Sequence, residues 1–208
     1  MIRGFALAFV FASTLAQAEL VSTGVGMVRG QVITSREVQI QNLLELALLE
    51  KSPKLKLLGL DSKAFSKLTQ DVLLETVVSL EAKNFNVVQI TEQEVEEAKK
   101  KALKALKGSA VWASVQVTPK ELENALHRTI QARKFIQFRA QSSVLPVTDT
   151  EAQRYYNENR SKYENVPFEK SREDIKSYLG KQQVDRRLKD WYDVLLSKYQ
   201  VKNLIAEM

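Results

Sequence analysis

Residues 145–168 read LPVTDTEAQRYYNENRSKYENVPF, and their first seven residues decide the fold class. Thr148 and Glu151 stand three apart. A threonine hydroxyl at that spacing accepts the glutamate amide, and the carboxylate accepts the threonine amide in return, so two orphan donors of a helix start are satisfied together. Val147 and Ala152 occupy the flanking apolar positions. The spacing predicts a helix from Thr148 onward that carries Tyr155, Tyr156 and Tyr163 and stops at Asn165 and Pro167.

The same signature recurs at Thr34 with Glu37, Thr91 with Glu94 and Thr118 with Glu121, the last followed by Pro119 at the favoured first helical position. Their uneven separations exclude a solenoid. Apolar residues at three- and four-residue steps predict helices over about 35–50, 62–83, 92–107 and 119–141, with the first two as antiparallel neighbours, and a long helix over 167–199. That last helix has a polar break from Gly180 to Gln183, where only Val184 intervenes. Before the first helix, VGMVRGQVI around Arg29-Gly30 predicts a hairpin, and the tail 201–205 is apolar enough to pair with it and cover an edge. The expected fold is therefore mainly α, with a small β element formed by an N-terminal hairpin and the C-terminal tail.

Composition narrows the function classes. The 208 residues are 44% hydrophobic, enough for a core, and hold no cysteine, one histidine and seven glycines. Disulfides, thiolate metal sites and a lipidated cysteine are excluded. His127 has no histidine or cysteine partner with which to build a zinc site, and the lone Gly24-x-Gly26 lacks the rest of a phosphate loop. Glu92, Glu94, Glu96 and Glu97 sit at a helix start, where acidic side chains favour the macrodipole. The expectation is no catalytic residue, no metal and no cofactor.

Residues 1–18 read as a signal peptide. Arg3 precedes an uncharged apolar run, too short for the roughly 20 residues of a membrane span, and Ala16-Gln17-Ala18 is a small-x-small cleavage site. Export to the periplasm follows, with a single mature domain over 19–208. Lys and Arg number 31 against 25 Asp and Glu, and in that compartment the excess points to acidic surfaces rather than nucleic acid. The stretch EEAKKKALKALK at 96–107 reads first as a solvated amphipathic face with Val95, Ala98, Ala102, Leu103 and Leu106 turned inward. Contact with an anionic membrane surface is its second reading.

The order of these motifs, VGMVRGQVITSREV, ITEQEV, VTPKEL, VTDTEAQRYYNENRSKY, PFEKSREDIKSYL and VKNLI, resembles that of the SurA-like periplasmic chaperones, relatives of the PrsA foldases. The resemblance covers about 21–205. It implies a helical chaperone module in which the N-terminal helices, about 34–163, are completed by the returning C-terminal helix. It implies no nucleotide requirement and clients that are unfolded outer-membrane or secreted polypeptides, bound by a monomer or a homodimer. Relatives carry a parvulin prolyl isomerase domain between the tyrosine-rich helix and the final helix; here only residues 164–167 separate Tyr163 from Phe168. The resemblance thus implies holding without catalysis, with residual prolyl isomerase activity or an envelope-surface role as alternatives. Trp112, Phe135, Phe138, Leu145 and Tyr155 are the candidate client-binding residues.

Overall fold

A computed structural model describes residues 22–49, 54–164 and 166–205; the signal-peptide expectation over 1–18 lies outside them. The chain is mainly α with a small antiparallel sheet. Strands β1 (Gly24–Val28) and β2 (Gln31–Thr34) lead into α1 (Ser35–Leu49). Helices α2 (Lys63–Phe85), α3 (Glu92–Leu106), the short α4 (Ala110–Ser114) and α5 (Pro119–Ser142) follow. After α6 (Asp149–Glu158) and a 3-10 turn (Arg160–Tyr163), the chain enters α7 (Phe168–Lys198) and ends in β3 (Lys202–Asn203).

All four capping boxes form. The Thr148 amide donates to Glu151 Oε2 at 2.8 Å and the Glu151 amide to Thr148 Oγ1 at 3.2 Å. Thr34–Glu37, Thr91–Glu94 and Thr118–Glu121 repeat this geometry, each worth about 1 kcal/mol of helix stability. The helix expected to reach Tyr163 ends at Glu158 instead. Asn159 Nδ2 donates to the Tyr155 carbonyl at 2.9 Å, a side-chain bond that competes with continued helix, and Tyr163 lies on the 3-10 turn that follows.

The hairpin turns at Arg29 and Gly30, both with positive φ, the conformation that matches the twist of paired strands. The tail joins it as expected: the sheet order is β2-β1-β3, with Met27 opposite Lys202 and Gly26 opposite Asn203. Gly26 is required by close approach, because a Cβ there would stand 2.8 Å from a Leu73 methyl and 3.1 Å from the Lys202 carbonyl.

Three apolar clusters organise the packing. The sheet, α2, the middle of α5 and the end of α7 share the first, with Phe65, Val72, Leu73, Val77, Leu195 and Tyr199 buried. The second joins α1, α3, α4 and the first half of α5 around Leu43, Leu44, Ala102, Leu106 and Leu126. Helices α1 and α2 do touch, but each packs more extensively elsewhere, α1 on α3 and α2 on α5. Between these two clusters lies a polar layer: Gln41 Nε2 donates to Thr129 Oγ1 at 2.9 Å and to Glu75 at 3.1 Å, while Arg128 Nε donates to Glu75 at 2.9 Å. Burial pushes the Glu75 carboxyl up despite Arg128 and Thr129.

The third cluster is separate. Ala152 and Tyr156 of α6 pack on Ile175 of α7, with Tyr163, Phe168 and Leu179 around them. Tyr156 closes the junction at 164–167: its ring lies 5.3 Å from Tyr163 and 5.5 Å from Phe168, and its hydroxyl donates to the Val166 carbonyl at 2.7 Å.

Candidate client-binding groove

Helix α7 is 31 residues long, about 46 Å at 1.5 Å per residue, and its two ends belong to different lobes. Ile175 packs with α6 and Leu195 with the main body. Between them the polar break places Lys181, Gln182, Asp185 and Arg186 in solvent, and α6 faces this stretch only across a polar cleft that Glu151 and Arg154 share with Gln182 and Gln183.

The connector from α5 to α6 crosses beside that polar middle. Residues 144–148 form neither helix nor strand, Pro146 removes an amide donor, and the proline biases Leu145 toward extended backbone. Leu145 and Val147 make no hydrogen bond to other described residues. Arg187 holds the connector in place by donating to the Ser143 carbonyl at 3.1 Å.

Connector and helix enclose an open groove of about 650 Å³. Val144, Leu145 and Val147 form one wall, Ala140 and Gln141 of α5 one end, and Ser177, Gly180 and Val184 of α7 the floor. The walls are predominantly apolar. Val144 is 60% and Leu145 49% exposed, so two adjacent aliphatic side chains open about half of their surface to water. Gly180 leaves the floor bare: the nearest atom to an added Cβ would be Val147 Cγ2 at 3.9 Å. Charges stand at the rim, where Lys176 pairs with Asp149 and Lys181 and Glu173 face solvent.

The structure separates the five residues expected to bind clients. Leu145 lines the groove. Phe138, 41% exposed, lies one turn before Gln141 on the same face of α5. Phe135 is a correction: at 1% exposure it is the hub of an aromatic core, with centroids 5.8 Å from Phe85, 6.1 Å from Phe138 and 5.6 Å from Trp191. It supports the exposed Phe85 and Phe138 from below. Tyr155 meets the Tyr178 ring at a tilt, with centroids 5.5 Å apart, and faces a polar cleft with Arg154, Leu179 and Arg186. Trp112 lies on a third surface, where α3 meets α4. Val144, Val147, Gly180 and Val184 were missed in sequence; the polar break around Gly180 was their signal.

Among the described residues no three His, Cys, Asp or Glu side chains cluster as metal ligands, and His127 is half-buried on α5. The perturbed carboxyls have structural partners. Lys134 and the Thr91 amide hold Glu94 down to about 2, and Arg36 with the Thr118 amide does the same for Glu121. Arg36 also donates to the Val115 and Gln116 carbonyls at 2.9 and 2.8 Å, clamping α1 to the loop before α5.

No family model, no curated protein and no solved structure matches this chain.

Proposed function

We propose that the protein is an exported, ATP-independent chaperone that holds unfolded, apolar-rich polypeptides on their way to the outer membrane or beyond. The observation that carries the reading is the groove between the 144–148 connector and the middle of α7. It combines an exposed aliphatic wall, a glycine floor and a connector whose Leu145 and Val147 backbone groups have no hydrogen-bond partner among the described residues. An extended client can satisfy those backbone groups while its side chains enter the apolar floor, the logic of strand addition. Ordering a flexible client costs entropy, so contacts of this kind are weak singly and useful in number. The motif order, which resembles that of the SurA-like chaperones, supports the same reading.

The test is aggregation of a chemically denatured outer-membrane protein diluted into buffer with and without purified residues 19–208. Suppressed light scattering near stoichiometric ratio is expected, and its loss in Leu145→Asp/Val184→Asp. Unchanged scattering at molar excess of the wild-type protein would rule the activity out.

A further inference from the structure

A second surface stands apart from the groove, at the corner between α3 and α4. In the sequence, no acidic residue occurs between Glu97 and Glu121, while lysines stand at 99, 100, 101, 104, 107 and 120. On α3 the buried stripe is Val95, Ala102 and Leu106. Lys100, Leu103, Lys104 and Lys107, at steps of three and four residues, therefore share the outward face. Leu103, expected to turn inward with that stripe, is instead 42% exposed: it is one residue beyond Ala102, about 100° further round the helix.

The macrodipole accounts for lysines near a helix C-terminus, but not for an exposed leucine among them. Among the described residues Lys100, Lys101, Lys104 and Lys107 form no ion pair, whereas Lys99 does, with Glu96 at 3.4 Å. Leu103 also opens onto a shallow apolar cavity of about 590 Å³ shared with Leu106, Lys107, Trp112 and Ala113. The half-buried Trp112 is fixed there by α4, whose Ser109 hydroxyl accepts from the Trp112 amide at 3.2 Å.

From this juxtaposition we infer that the α3–α4 corner docks onto an anionic lipid bilayer. Lysine stems cover apolar surface while their ammonium groups reach phosphates. Indoles favour the level of the headgroups, and Leu103 supplies a small apolar insertion. The lining offers no carboxylate and so selects a partner that joins dense negative charge to an apolar layer, which a bilayer interface does. No described helix is long and apolar enough to cross a membrane, so the contact lies at the surface. It is independent of client holding.

Flotation of residues 19–208 with vesicles of phosphatidylcholine, with and without phosphatidylglycerol, tests the inference. The protein is expected to float with the anionic vesicles at low salt, to be released at high salt, and to stay with the soluble fraction when phosphatidylcholine is alone. Each lysine neutralised in Lys104→Gln/Lys107→Gln lowers partitioning roughly fivefold, with the helical circular dichroism unchanged. In a Trp191→Phe background the emission of Trp112 shifts to the blue on anionic vesicles; if that substitution unfolds the chain, flotation of the double lysine variant decides alone. Absent flotation overturns the inference, as does flotation undiminished in the lysine variant, or binding of an acidic polypeptide such as polyglutamate without any of vesicles.

Discussion

The Tyr199 hydroxyl donates to the buried Glu81 carboxylate across 2.6 Å, while the Tyr199 backbone carbonyl accepts from the Arg29 amide at 2.9 Å. One residue at the end of α7 is thereby bound to α2 through its side chain and to the hairpin turn through its backbone. Lys198 completes the site on Glu81 at 2.7 Å, and Asn84 donates to the Tyr199 oxygen at 2.8 Å. Burial and Glu81 together push the phenol up to about 12, so it remains a donor. Tyr199→Phe is expected to cost about 1–3 kcal/mol, the penalty for stranding buried polar partners. Urea denaturation followed by circular dichroism measures it; a change below about half a kcal/mol would show that water replaces the hydroxyl.

Gly26→Ala places a methyl 2.8 Å from Leu73 on one side and 3.1 Å from the Lys202 carbonyl on the other. Leu73 is itself fully buried, so the strain passes into the core. The expected loss is about 1–3 kcal/mol, seen as a lower melting temperature. Pairing this change with Leu73→Ala should make the combined loss smaller than the sum of the two, because the cavity receives the methyl.

At Gly180 the expectation has the opposite sign. Alanine fits beside Val147 and favours an exposed helix interior by about 1 kcal/mol. Gly180→Ala should therefore raise the urea midpoint and leave holding nearly intact. Gly180→Phe should keep the stability and fill the groove floor. Scattering assays on the two variants separate floor occupancy from helix stability; equal activity in both would remove the groove from the mechanism.

Acid should unfold the chain through its depressed carboxyls. Hydrogen bonds and charge from Lys134 and Arg36 hold Glu94 and Glu121 at about 2. Glu81 is pushed up by burial, but Lys198 and Tyr199 outweigh this and hold it below the usual range. Each of the three binds its proton more weakly folded than unfolded. Their stabilisation is complete above about pH 4.5 and is lost as the pH falls toward 2. Glu75 has the reverse sign, its raised pKa adding stability that fades as the pH rises through it. The three outnumber it, so the melting temperature should fall between pH 5 and pH 2, and Glu121→Gln should flatten that limb. A curve that is level over this range would contradict the assignment.

Hydrogen exchange should distinguish the lobes. Helix α6 packs chiefly on α7, with the Tyr156 hydroxyl bond to Val166 closing its far end. Few buried contacts mean a low local opening free energy. Amides of α6 should exchange well before those of α2, and Tyr156→Phe should speed α6 without altering α2.

Helix starts were readable from sequence because capping is a local event: Thr148 and Glu151 meet whatever the rest of the chain does. The sheet was readable because Arg29-Gly30 turns it and the 201–205 tail offers a third apolar segment. Lobe-level geometry was not. Phe135 and Phe138 both continue the α5 pattern, yet one is enclosed by Phe85, Phe138 and Trp191 and the other meets water. Periodicity assigns a face; it does not say where a neighbouring helix ends. Helix α4 is five residues long, below the length at which periodicity speaks, so Trp112 carried no local label. The floor at Gly180 was visible only as a gap in the α7 stripe, and that gap acquires meaning once the 144–148 connector is seen to cross beside it.

The sheet order has a consequence for how the molecule is made. Strand β1 lies between β2, which follows it at once, and β3, which arrives only at Lys202. A two-stranded hairpin is marginal by itself in water, and closing a contact between Met27 and Lys202 carries the loop-closure entropy of nearly the whole chain. Made from its N-terminus, the chain carries the first strand long before its second neighbour at Lys202 has been added. The sheet is then a late seam, and the open β1 edge is the part of a newly arrived chain that needs shielding longest.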